Sequence, residues 1–425
     1  MTIGRRQFVK TLGVAGVVLA SDIPQSFAAE GRFAEKSQKS YDVAVIGAGV
    51  FGAWTAHELG RSGKKVILLD QYGPANSRSS SGGETRIIRM GYGAKEFYTR
   101  WSWRSLAAWK EFFARTAQPL FQNTGVLWMA DAGDPSIAKT SATLTKVGIP
   151  FELLSHADLQ KRFPQIGAEP SMVGLFEPES GALLARRAVQ AVVADAIKNG
   201  VDYRVAAVVP PAVVPPAGER RLESIALGDG SAVTAAKFVF ACGPWLPRIF
   251  PELLGGKIVP TRGEEFFFGL PGGDSRYATP AMPTWIDNTT ETFGTPDIEG
   301  RGFKVGIDLH GPSFDPDRDS RTVNEDSLKF AREFLARRFP GLRNAPLLEN
   351  RVCQYENTTN EDFLIDRHPA LENVWLVGGG SGHGFKHGPA LGAYVAAKLI
   401  EGGEVEPFFR LSNKGKVEAP SIFHR

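Results

Sequence analysis

The sequence predicts a chain that combines α/β with α+β architecture: a parallel sheet with helices, interrupted by a second domain built on an antiparallel sheet. Three observations predict it. A β-branched apolar run from Tyr41 to Ile46 passes straight into Gly47-Ala48-Gly49-Val50-Phe51-Gly52, then a helical stretch from Ala53 to Ser62 and a second strand, Lys65 to Leu69, ending in Asp70. Short, continuously apolar strands of this kind belong to sheets covered on both faces. Two further strand-to-glycine turns lie far along the chain: Lys237 to Ala241 before Cys242-Gly243-Pro244-Trp245, and Val374 to Val377 before Gly378-Gly379-Gly380-Ser381-Gly382-His383-Gly384. Finally, 425 residues exceed the about 100–200 usual for one domain, so two or three are expected.

Taken in order, residues 1–29 differ in kind from the rest of the chain. Arg5 and Arg6 lead into Gln7-Phe8-Val9-Lys10, a modest apolar run from Leu12 to Ala20, and the small-residue stretch Ser26-Phe27-Ala28-Ala29. That order of charge, apolar segment and small residues describes an export signal, and R-R-x-F-V-K resembles the twin-arginine type, an address read by a receptor. It implies the twin-arginine export machinery as a partner and a periplasmic or secreted location. An ordinary basic N-terminus before a core helix is the other reading. The apolar run falls short of the about 20 residues that span a bilayer, so no stable membrane span is expected. Residues 30–39 read as a polar linker.

The remainder has a globular composition, 43% hydrophobic and 22% charged, with a net charge of +3 and its lysines and arginines scattered. No basic stripe tracks phosphates, so nucleic acid is not an expected partner. Two cysteines, Cys242 and Cys353, are too few for a disulfide framework, though they could pair with each other. No metal is expected.

The first glycine turn fits G-x-G-x-x-G, a Rossmann-type fingerprint. Gly47 permits the tight turn, Gly49 lets the backbone approach a pyrophosphate, and Gly52 allows close helix packing, with phosphate against the helix N-terminus. Asp70 stands where an acid accepts hydrogen bonds from ribose hydroxyls. The motif alone does not separate NAD from FAD. The later turns do, because they imply a dinucleotide touched from several sides. The last, with Gly380 and Gly382 before the helical stretch Pro389 to Ile400, aims a helix N-terminus at the ring system, where reduced flavin carries negative charge.

With these residues in hand, the chain resembles the monomeric sarcosine oxidase and N-methyltryptophan oxidase group of the D-amino-acid-oxidase-like flavoproteins. The resemblance runs from Tyr41 to Gly402. Its most specific pieces are Gly83-Glu84-Thr85-Arg86-Ile87-Ile88-Arg89, Cys353-Gln354-Tyr355, Phe363-Leu364-Ile365-Asp366-Arg367-His368-Pro369 and Ser381-Gly382-His383-Gly384-Phe385-Lys386. It implies FAD carried covalently by Cys353 through the flavin 8α-methyl group, although by itself Cys353 also reads as a buried apolar thiol. It implies that Arg89 and Lys386 hold a substrate carboxylate, that Arg86 lies close to the flavin, that Lys304 activates oxygen, and that Tyr355 and His383 shape the site and tune the protonation of the amine. Taken alone, Lys304 is equally a surface-facing strand lysine. Two departures concern the substrate: a family tyrosine falls on Phe293, and a pocket histidine falls on Asp308, with His310 two residues further along and able to substitute if its strand carries a bulge.

The expected fold is therefore a Rossmann-type FAD-binding domain, residues 40–100, 176–250 and 350–405, with a discontinuous antiparallel-sheet substrate domain, 101–175 and 251–349, and a tail at 406–425. Ala185 to Asn199 reads as a helix, 266–269 and 302–309 as strands, and Pro210 to Pro216 as a turn. The implied activity is an FAD-dependent oxidase of a small carboxylate-bearing secondary amine, N-methyl or cyclic, that yields an imine and hydrogen peroxide with molecular oxygen as acceptor. Rival readings are a flavin dehydrogenase that passes electrons to a quinone or carrier, an oxidase of primary amino acids, and an exported flavin-binding protein without turnover.

Overall fold

The structure is a computed structural model that describes residues 40–211, 221–308 and 311–417. The export-type segment, the linker, His310, most of the proline-rich loop and the end of the C-terminal tail lie outside the described residues. Among those described, no helix is long and apolar enough to cross a membrane.

The described strands form three sheets. In the first, Leu364–His368, Leu371–Gly378, Ala232–Phe240, Ser40–Ile46, Val66–Asp70 and Asp202–Val205 lie in that order. Its pairs are parallel except the first, and Ser224–Ala226 adds antiparallel to Ala232–Phe240. The sheet is buried on both faces. Val43, Val45, Leu68 and Val239 enter one core, while Ala44, Ile46, Ile67, Leu69 and Phe240 enter another. This is why the strands read as continuous apolar runs rather than as alternating ones.

Helices Val50–Arg61 and Gly388–Glu401 pack together on one of these faces. Their axes approach closely because Gly392 has no side chain: a Cβ there would lie 2.6 Å from the Trp54 carbonyl carbon. The Gly47 turn is as tight. Gly47 has a φ of +105°, and a Cβ at Gly52 would lie 1.8 Å from the Gly47 oxygen.

The second sheet has the order Leu347–Asn357, Val259–Phe268, Phe303–Ile307, Thr292–Thr295, Thr284–Asp287, Val126–Asp131, Met172–Glu177, Glu152–Leu154. It is antiparallel apart from the parallel pairing of Thr284–Asp287 with Val126–Asp131. Phe266, Phe268, Trp285 and Phe303 pack against Phe334 of helix Glu325–Arg338 and against Phe339. The third sheet joins Thr85–Ile88, Gly181–Leu184 and Phe121–Gln122.

Two placements bear on the site. The strand of Cys353, which the sequence assigns to the FAD-binding domain without placing it in a sheet, pairs along its length with Val259–Phe268, Cys353 opposite Gly263. The expected strand at 302–309 stops at Ile307, so strand alternation does not extend to Asp308.

Gly52→Val would force its new side chain into the Gly47 carbonyl. Overpacking of this kind costs about 1–3 kcal/mol, and a denaturation scan should find the variant less stable by at least that much. An unshifted midpoint would count against the packing role.

Candidate functional site

A cleft of about 330 Å³ runs between the three glycine turns, lined by Gly47, Gly49, Asp70, Arg86, Cys353, Tyr355, Gly380 and Gly382 among others. Residues from opposite ends of the chain thus meet along one trough. Gly49 reveals the purpose of its near end. A Cβ there would meet nothing closer than the Ser81 hydroxyl oxygen at 3.5 Å, so no protein atom demands glycine. The open space lies beside the N-terminus of helix Val50–Arg61, whose Val50 N–H donates to Ser81 Oγ at 3.0 Å. A backbone cradle at a helix N-terminus fits a phosphate.

Asp70 also holds the backbone around it. Its carboxylate accepts from the N–H groups of Ala48 at 2.7 Å, and of Tyr72 and Gly73 at 2.8 Å each. Its first role is to fix the loops around the cleft, which it still lines. Burial pushes its pKa up, against the lowering effect of those donors.

At the far end, one carboxylate organises four residues. Arg86 Nη2 lies 3.0 Å from Cys353 Sγ, and its Nη1 donates to Glu265 Oε1 at 3.2 Å. Lys304 Nζ donates to the same oxygen at 2.8 Å and to the Thr85 carbonyl at 3.2 Å. Lys304 is 1% exposed, so it is not a surface-facing strand lysine. Burial opposes ionisation of Glu265, but Lys304 and Arg86 outweigh it and hold its pKa down to about 2. Burial also lowers the Lys304 pKa, only partly offset by Glu265. The asymmetry has a plain cause: one anion serves two cations, so the anion is the better satisfied. The sequence reading missed Glu265, because Glu264-Glu265 looks like an ordinary polar interruption until the partners from other segments arrive.

Cys242 and Cys353 are free thiols, which removes the disulfide alternative. Burial, then Asp70 and Glu356, push the Cys242 thiol well up, so it stays protonated and its Sγ donates to the Ile46 carbonyl.

A second pair of cations has no such ion pair among the described residues. The Arg89 guanidinium lies between the rings of Tyr92 and Trp128, 4.5 and 4.7 Å from their centroids, and donates to the Gly91 carbonyl. Lys386 Nζ, buried, donates to Tyr92 OH and to the His383 carbonyl, both at 2.9 Å. Among the described residues neither has an acidic ion-pair partner. Burial, and next the charge of Arg89, press the Lys386 pKa well below its usual value. The same burial, with Lys386 nearby, holds His383 and His387 well below theirs, so both imidazoles are neutral. His383 Nε2 faces the Glu361 carbonyl at 2.8 Å and must carry the hydrogen, which leaves Nδ1 as an acceptor 3.2 Å from Tyr92 OH. Tyr92 and Glu177 also escaped the sequence reading. Glu177, fully buried, accepts from Met90 and Gly91 N–H and from Trp128 Nε1, at 2.7, 3.0 and 2.8 Å, and so shapes the loop that presents Arg89.

Tyr355 OH donates to Asp308 Oδ1 at 3.4 Å, and Gly382 lies against the Tyr355 ring. Phe293 packs its ring over Gly306, 5.6 Å from Lys304 Nζ.

Glu265→Gln would leave two buried cations without an anion. We expect a loss of about 3–5 kcal/mol, larger than that of Lys304→Met, which leaves Glu265 paired with Arg86. A carboxyl held near 2 in the fold, against 4.5 by default, stabilises above the unfolded value and loses that contribution as pH falls towards 2. Urea midpoints of wild type and Glu265→Gln should therefore converge in acid; a constant gap would refute the assignment.

The chain matches the family profile of DAO, FAD dependent oxidoreductase, over residues 42–398. It is 30% identical over 382 residues to a monomeric sarcosine oxidase of Arthrobacter sp. (strain TE1826), covering 86% of this chain and 94% of that one. It is 29% identical over 368 residues to an N-methyl-L-tryptophan oxidase of Salmonella arizonae, covering 85% and 95%. In structure it is similar to the L-proline dehydrogenase of P. horikoshii, with a TM-score of 0.76 at 20% identity over 88% of this chain and 97% of that one, a likeness of fold.

Proposed function

We propose, from the premise that the chain belongs to the DAO family of FAD dependent oxidoreductases, that it oxidises the C–N bond of a small secondary amino acid, N-methyl or cyclic, with molecular oxygen as acceptor. The relatives named as sarcosine and N-methyl-L-tryptophan oxidases support this choice of substrate class. The observation that carries it is the Arg89–Lys386 pair: two close cations whose present contacts are aromatic faces, a phenol and carbonyls. Bound FAD supplies the two-electron acceptor for the C–N bond.

The chain's own residues do the rest. Arg89 offers a planar fork to the substrate carboxylate and Lys386 a point charge. Arrival of that carboxylate favours the charged form of Lys386, which burial disfavours. Tyr355 bounds the other side, and neutral His383 favours an amine that binds unprotonated, so no strong base is required. Lys304 contributes fixed positive charge where oxygen takes up electrons. The amine becomes an imine that water hydrolyses, and oxygen leaves as hydrogen peroxide. Cys353 is the proposed covalent anchor, with the Arg86 guanidinium donating to its sulfur. The Arg5-Arg6 segment supports export through the twin-arginine route, which carries folded, cofactor-loaded proteins.

In Arg89→Ala the flavin should stay bound while the KM for an N-methyl amino acid rises by at least about 150-fold, the low end of what two charged hydrogen bonds at roughly 1.5–3 kcal/mol each imply; peroxide release gives the reading, and an unchanged KM defeats the carboxylate assignment. Acid precipitation should leave yellow flavin on a peptide containing Cys353. Flavin freed into the supernatant would defeat the covalent anchor and leave the FAD fold intact.

A further inference from the structure

Glu356 follows the anchor strand's Tyr355 and lies in the middle of the cofactor cleft, between the second and third glycine turns. It is 8% exposed, and its Oε2 has no hydrogen-bond partner in the chain. The surrounding backbone is kept bare around it. A Cβ at Gly378 would lie 3.3 Å from Oε2 and one at Gly380 3.2 Å from Oε1, while Gly243 approaches Oε2 at 4.0 Å by the same measure. The N–H groups of Gly379 and Gly380 lie near enough to favour the ionised carboxyl. Of titratable groups, the Cys242 thiol faces it and is itself neutral, with Asp70 beyond; no charged side chain enters the balance that sets its protonation. Burial raises its pKa to about 7 despite the two backbone donors.

A carboxyl buried with one oxygen unsatisfied costs stability unless something completes it. Here the remaining neighbour is the space that a dinucleotide fills. A pyrophosphate brings negative charge into the same trough, and an ionised Glu356 with no cation beside it would repel that charge. A protonated one carries a hydrogen that an oxygen acceptor can take.

We propose that Glu356 is a cofactor-positioning residue, which stays protonated in the loaded protein and donates a hydrogen bond from its carboxyl to an oxygen of the linker joining the two ring systems of FAD. This rests on the FAD-binding reading of the cleft. It makes retention of the dinucleotide proton-dependent: below about pH 7 the carboxyl is ready to bind, and each unit above costs about tenfold in affinity until the bound form also ionises.

The test uses the full chain carrying Cys353→Ala, so that FAD binds reversibly, and follows quenching of flavin fluorescence between about pH 6 and pH 9. The dissociation constant should stay level up to about pH 7 and then rise about tenfold per unit. With Glu356→Gln added it should stay level throughout, because the amide keeps a donor and cannot ionise. The same slope in the glutamine variant, or a level profile in its parent, overturns the proposal. As a measurement that needs no change at 356, the rise in thermal midpoint caused by FAD in the Cys353→Ala protein should shrink above pH 7; a constant rise also overturns it. Failure of the Cys353→Ala protein to bind FAD at any pH would overturn the FAD reading itself, whereas failure of the glutamine variant alone overturns the proposed donor role.

Discussion

One buried carboxylate holds together the part of this molecule where chemistry is expected. Glu265 belongs to the second sheet, yet its partners are Lys304 from the neighbouring strand and Arg86 from the third sheet. Through Arg86 it reaches the sulfur of Cys353. A buried ion triad is a poor device for stability, since each charge loses several kcal/mol of hydration and apolar residues of similar volume often serve better. Its presence here points to use: two cations, Lys304 buried and Arg86 partly so, are fixed beside the cleft by one carboxylate, where their field is little screened. The same triad explains why Lys304 is deeply buried on a short strand whose other residues are apolar or glycine.

The fold was legible where a single element carries its own signature. The Gly47 turn was readable because its glycines answer to local geometry, and the apolar strands because both faces of their sheet are covered. The strand of Cys353 was not legible, for the opposite reason. LLENRVCQYEN mixes acids, amides and apolar residues without a clean period, and what buries its second half is the cleft and the strand Val259–Phe268 rather than one core. Periodicity reports burial against a layer; it has no pattern for burial against a cofactor trough. Glu265, Glu177 and Glu356 were illegible for a related reason. An acid in sequence reads as exposed, and only long-range partners, or the lack of them, mark the buried ones.

The candidate site residues Arg86, Arg89, Cys353 and Lys386 came through resemblance of motifs, the glycines through their own spacing. What the geometry adds is their division of labour. Arg86 and Arg89 stand three residues apart, yet they serve different ends of the site, because the strand Thr85–Ile88 stops between them and Glu177 turns the chain at Met90 and Gly91.

That turn separates two cation pairs that the fold treats oppositely. Arg86 and Lys304 are given an internal anion, so their charge is balanced whether or not anything is bound. Arg89 and Lys386 are given aromatic faces, a phenol and carbonyls, and the neighbouring imidazoles are kept neutral. Burial without an ion-pair partner is an unfavourable state for Lys386, which the charges of Asp308 and Glu177 offset only in part. The unfavourable state is therefore itself a selection rule. On the proposed carboxylate role, a ligand that brings a carboxylate favours the charged ammonium, and one that lacks it forgoes that gain. The balanced cations can remain fixed through a reaction cycle, while the unbalanced ones respond to whether a substrate is present.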